Sequence, residues 1–133
     1  YVYDAIVYCV FISLGFASIE NLIAILSNSG GFALALQRGL ITVPAHAFFG
    51  IISGYYLGLA KKYEARRWNK KKRKYIILSL LIPIIVHGMF DSLLFLSSTA
   101  SLLFATALIV YLYLSSALKV VKTSSEAKKI TRR

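Results

Sequence analysis

At 133 residues, 58% of them hydrophobic and 16% charged, with a mean hydropathy of +0.69, the chain is far more apolar than a water-soluble domain, where charged residues make up about one quarter. Its formal net charge of +11 would suit a nucleic-acid partner, yet fifteen of the sixteen basic residues crowd into two short segments beside apolar runs, which excludes a basic face spread over a globular surface. The single Cys9 excludes an internal disulfide.

Four stretches are long and apolar enough to cross about 30 Å of hydrocarbon as helices of roughly 20 residues. They run from Tyr3 to Leu26, Gly39 to Ala60, Tyr75 to Leu96 and Thr99 to Leu118. Lipid cannot satisfy open backbone groups, and strand-like alternation is absent, so the expected fold is all-α: a polytopic membrane bundle of four transmembrane helices. No linker or repeat divides it, so the whole chain reads as one membrane domain with a basic tail from Lys119 to Arg133. A signal peptide is not expected, because the first span is too long and no cleavage-like stretch follows. The chain opens on Tyr1 and its one methionine is Met89, and the expectation is a piece of a longer protein whose start is missing.

In the first span Ser13, Ala17, Glu20 and Ala24 follow a four-three-four spacing, which places the glutamate on a seam of small residues, with Asn21 about 100° around. The connection from Ser27 to Arg38 has turn composition in Ser27-Asn28-Ser29-Gly30-Gly31. Arg38 at its end has three readings: pairing with Glu20 or Asp91, contact with substrate, or anchorage among headgroups. The second span repeats His46, Gly50, Gly54 and Gly58 every four residues, so the histidine shares a face with glycines that invite close helix approach.

Nine basic residues then fall between Lys61 and Lys74, flanked by Tyr63, Trp68 and Tyr75 as interfacial anchors. In the third span Ser79, Pro83, His87 and Asp91 recur every four residues, and Pro83 predicts a kink beside the Ser79 carbonyl. A tight turn at Ser97-Ser98 leads to the fourth span, which has no ionisable group before Lys119. Basic residues beside span ends mark the cytoplasmic side, which puts the 61–74 connection and the C-terminus inside and the 27–38 connection outside. The tail is also suited to anionic lipid heads.

An ionisable side chain within a span costs several kcal/mol on insertion scales, so each is a functional candidate. Counted from the span ends at about 1.5 Å per residue, Glu20 lies about 9 Å below the outer boundary, His46 about 10 Å, Asp91 about 8 Å and His87 about 14 Å. All four fall in the outer half, whereas an ion or proton path needs polar groups through the whole thickness. Peptide hydrolysis requires a base for water, a donor for the oxyanion and an acid for the leaving amine, roles that glutamate and histidine can fill. Asp91, one turn from His87, is placed to orient its ring. A blander reading keeps each polar residue as glue between helices. Glu20, His46 and His87 are an acceptable set for Zn2+, although the HExxH spacing is absent.

Gly15-Phe16-Ala17-Ser18-Ile19-Glu20-Asn21, then Arg38 leading to His46 and Gly50, then His87-Gly88-Met89-Phe90-Asp91 resemble, in this order, the PrsW-type intramembrane proteases, relatives of the CAAX-processing proteases. The likeness runs from about Asp4 to Asp91. It implies a multi-pass protease that cuts membrane-anchored proteins, anti-sigma factors among them, with Glu20, His46, His87 and Asp91 at the positions of the family's later motifs. That family also carries a glutamate-pair motif, EExxK, thought to activate the water, and this sequence has no adjacent glutamates. Without that pair, Glu20 reads as a ligand or supporting group rather than the principal base. A non-enzymatic scaffold that binds client helices, or a small transporter, is the alternative.

Overall fold

Four long helices follow one another: α1 (Val2–Ser27), α2 (Gly31–Ala65), α3 (Asn69–Leu96) and α4 (Thr99–Thr131). They come from a computed structural model that describes residues 2–27, 31–96 and 98–131, with side chains through residue 127. All four are long and apolar enough to cross a membrane, and no strand occurs among the described residues.

The predicted spans lie inside helices that run further. Phe32 to Arg38 are mostly good helix formers and extend α2 outward by two turns. The expected 27–38 connection therefore shrinks to residues 28–30, which lie outside the described residues. Similarly, the basic 61–74 connection is mostly helix, with only residues 66–68 left as a turn. There the Arg67 amide donates to the Glu64 carbonyl at 2.9 Å and the Trp68 amide to the Tyr63 carbonyl at 3.0 Å. This is the double bond of a Schellman stop, with Arg67 at φ 57° where glycine is usual. At the start of α4, Ser98 Oγ accepts the Ser101 amide at 3.1 Å while Ser101 Oγ accepts the Ser98 amide at 3.0 Å, a reciprocal cap that ends the turn. Both α2 and α3 continue as helix through their prolines, Pro44 and Pro83.

Helix α2 is the centre. It packs along α1 on one side and α3 on the other, the backbones of α1 and α3 do not approach each other among the described residues, and α4 leans on all three. The predicted glycine face of α2 is the face that meets α1. A Cβ built on Gly50, Gly54 or Gly58 would sit 2.7, 2.4 or 2.5 Å from the Cα of Val10, Ile6 or Val2, respectively. The two backbones touch where only glycine leaves room.

The buried cluster is small, comprising Ala45, Phe49, Ile52, Phe90 and Leu112. By contrast, Phe11, Ile12, Leu26, Phe95 and Leu118 are among many large apolar side chains facing outward. In lipid such an exterior carries no penalty, and burial of it gives no drive to associate. Close packing and polar contacts between helices hold the bundle instead.

Candidate active site

The α1–α2 seam that starts with three glycines becomes polar toward the outer end. Past Gly50, the Ser13 hydroxyl donates to the His46 carbonyl at 2.7 Å. Further out, Arg38 Nε donates to Asn21 Oδ1 at 2.8 Å. Between these two contacts lie Glu20 and His46. Side chains on a helix lean toward its N-terminus, so in an antiparallel pair Glu20 leans inward and His46 leans outward, and the two meet.

His46 is 98% buried, and its Nδ1 lies 2.9 Å from the Thr42 carbonyl one turn earlier. A carbonyl only accepts, so this contact assigns the proton to Nδ1 and leaves the lone pair on Nε2. Nε2 lies 2.9 Å from Glu20 Oε2, yet the alignment is too poor for a hydrogen bond and the atom has no hydrogen-bond partner. A buried lone pair against a carboxylate is unfavourable by about 1–3 kcal/mol unless a proton or a cation comes between them.

His87 arrives from α3 on the other side of α2. Its ring centroid is 4.8 Å from that of His46 with the planes at 73°, and its Nε2 lies 3.2 Å from Asp91 Oδ2 one turn along. Phe49 is buried beneath both rings, with centroids 5.6 Å from His46 and 5.2 Å from His87. It holds the two imidazoles in place and keeps the inner side of the site apolar.

One ligand atom each from Glu20, His46 and His87 falls within 4.8 Å of the others. Two ligands on a tetrahedral zinc with bonds of about 2.0–2.1 Å stand roughly 3.3 Å apart, so small side-chain movements would close this set on an ion. The donors fit a divalent cation on three grounds: two imidazoles and a carboxylate are the set used by open, catalytic zinc sites, the His46 lone pair is orphaned, and Asp91 backs one ligand as carboxylates back metal-bound histidines.

The residues marked in the sequence are distributed as follows. Glu20, His46 and His87 converge from three helices. Asp91 touches His87 but is more than half exposed on its side chain. Arg38 pairs with Asn21, rather than with Glu20 or Asp91, because it lies two turns outward of His46 on α2, level with residue 21 of α1. Thr42, Phe49 and the bond made by Ser13 were not evident as parts of the site. Thr42 and Phe49 stand four residues before and three after His46, a helical spacing that does put them on its face.

Four helices long and apolar enough to span a membrane, three of which bring together a metal-compatible Glu/His/His cluster, define a multi-pass membrane protein of the kind that embeds a polar site in the bilayer. The model of the PrsW family of intramembrane metalloproteases matches residues 1–118, and the chain belongs to that family. Curated relatives agree. The protease PrsW of Clostridioides difficile (strain 630) is 36% identical over 129 residues, covering 96% of this chain and 53% of the relative. That of Halalkalibacterium halodurans is 44% identical over 96 residues, covering 72% and 41%, and that of Bacillus subtilis (strain 168) is 40% identical over 92 residues, covering 69% and 39%. The chain thus spans about half the length, or less, of the curated relatives it matches. No solved structure matches it.

Proposed function

We propose that this chain carries an intramembrane endopeptidase site in which Glu20, His46 and His87 hold a divalent cation, Zn2+ being the best fit, and Asp91 positions His87. The observation that carries the reading is the buried Nε2 of His46, which makes no hydrogen bond yet stands 2.9 Å from Glu20 Oε2 and next to His87. The substrates in this reading are membrane-anchored proteins, anti-sigma factors among them; the family's description as intramembrane metalloproteases and the relatives' name of protease support the peptidase class.

A cation bound there would supply Lewis-acid polarisation of water and of the scissile carbonyl. The chain's own groups do the rest. Thr42 holds the His46 ring so that Nε2 faces the site, and Ser13 ties that turn of α2 to α1. Asp91 stands 3.2 Å from His87 Nε2 and steadies the second imidazole. Phe49 excludes water from below. The Arg38–Asn21 pair fixes the outer end of the α1–α2 seam beside Glu20. The basic 61–74 segment and the end of α4 from Lys119 to Thr131 lie at the opposite end of the bundle, which supports a cytoplasmic basic side and a cut near the outer face of the membrane.

The full-length protein carrying this chain, reconstituted in vesicles with single-span substrates, is expected to cleave them, to lose cleavage on chelation and to regain it with Zn2+. Cleavage that persists in His46→Ala or His87→Ala would overturn the assignment.

A further inference from the structure

At the basic end of the bundle, α2 and α4 enclose an open groove of about 520 Å³. From α4 it is lined by two adjacent rows on one side of the helix, Tyr111, Leu114 and Leu118 with Ser115, Lys119 and Lys122, and from α2 by Tyr55 and Tyr56. No acidic residue lines it. Lys119 is pre-positioned there: its Nζ donates to the Ser115 hydroxyl and lies 5.8 Å from the Tyr55 ring centroid. A neighbouring cavity of about 720 Å³ is larger, but Glu64 and Glu126 share its lining with Lys61, Lys62 and Arg66, so it offers an anion no clear preference.

We infer that the α2–α4 groove is a binding site for one anionic glycerophospholipid of the leaflet on the basic side. Lys119 and Lys122 take the phosphate, the hydroxyls of Tyr55 and Tyr56 are donors for the glycerol and ester oxygens, and Leu118, Leu114 and Tyr111, successively deeper along α4, lie along the acyl chain. The charge selects the occupant, since two lysines without an acid in a groove at the end of an apolar span match a headgroup with net negative charge and gain nothing from a zwitterion. The level also fits: Lys119 ends the ionisable-free run of α4, and Tyr55 and Tyr56 lie within about one and a half turns of the inner end of the α2 span, toward the interface that aromatic side chains favour.

The test is native mass spectrometry of the full-length protein, purified in detergent and offered phosphatidylglycerol or phosphatidylcholine. The expected result is selective retention of one phosphatidylglycerol, about thirty-fold weaker in the Lys119→Gln/Lys122→Gln variant and restored in Lys119→Arg/Lys122→Arg. A Lys62→Gln/Arg66→Gln variant, altered in the neighbouring cavity, is expected to retain the lipid as the parent does. Equal retention of both lipids by the parent, unchanged retention in the double Gln variant, or equal loss in the Lys62/Arg66 control would each overturn the assignment. Far-ultraviolet helicity and elution volume show that the Gln variant is folded, and failure of the Arg variant to restore binding also counts against the site.

Discussion

Adding one methyl group at Gly54 should damage the site from a distance. In Gly54→Ala the new Cβ would lie 2.4 Å from Ile6 Cα, 2.6 Å from the Ala5 carbonyl oxygen and 2.8 Å from Ile6 N. All three are backbone atoms, so no side chain can rotate away, and ordinary carbon contacts of about 3.5 Å require α1 and α2 to separate by roughly 1 Å. Two effects compete. Alanine favours a helix over glycine by about 1 kcal/mol, while overpacking a tight contact costs about 1–3 kcal/mol. With three backbone clashes at once the upper end of that range applies, giving a net loss of roughly 2 kcal/mol. The same 1 Å separation would lengthen the 2.9 Å approach of Glu20 to His46, so cleavage should fall together with thermal stability in micelles. Gly15→Ala is the control, because a Cβ there meets nothing within 4 Å and only the helix-propensity gain applies. If Gly54→Ala matches the parent in both unfolding temperature and activity, or if Gly15→Ala is as damaging, the close-approach argument fails.

Ser13→Ala removes the hydroxyl that donates to the His46 carbonyl, and should cost about 1 kcal/mol in chemical unfolding while leaving cation binding measurable. Asp91→Asn weakens the support of His87 and is expected to lower Zn2+ affinity about 10–100-fold in a competition titration. A change of less than two-fold would mean that Asp91 does not position this ring. At the C-terminal end of α2, beyond the apolar span, hydrogen bonds from Lys72 and then Lys61 hold Glu64 at about 2, below its ordinary 4.5. Because the folded value is the lower one, the contribution is fully present above about 4.5 and is lost as pH falls toward 2. Glu64→Gln should therefore flatten the acid limb of the stability profile between those values. An identical acid limb in the variant would sink that reading.

Composition and charge placement carried most of the architecture. Lipid permits a chain with four apolar runs only helices, and the four-residue recurrence of His46, Gly50, Gly54 and Gly58 marked one face of α2. The helix ends were less legible, since hydropathy reports where lipid begins and not where hydrogen bonding stops. Arg67 illustrates this: nothing in a run of basic residues singles out the one that takes φ 57° to end α2.

The sequence by itself determined the four spans, the small-residue seam and the identity of the polar groups within the bilayer, because each rests on local composition and on the period of one helix. The tertiary structure alone decided the partners. That α2 lies between α1 and α3, that Asn21 rather than Glu20 receives Arg38, and that Glu20, His46 and His87 share one point around a His46 Nε2 that makes no hydrogen bond all depend on the rotation and depth of three helices relative to one another. A period of 3.6 residues fixes faces within a helix, but backbone contact at Gly50, Gly54 and Gly58 brings the faces of α1 and α2 into register.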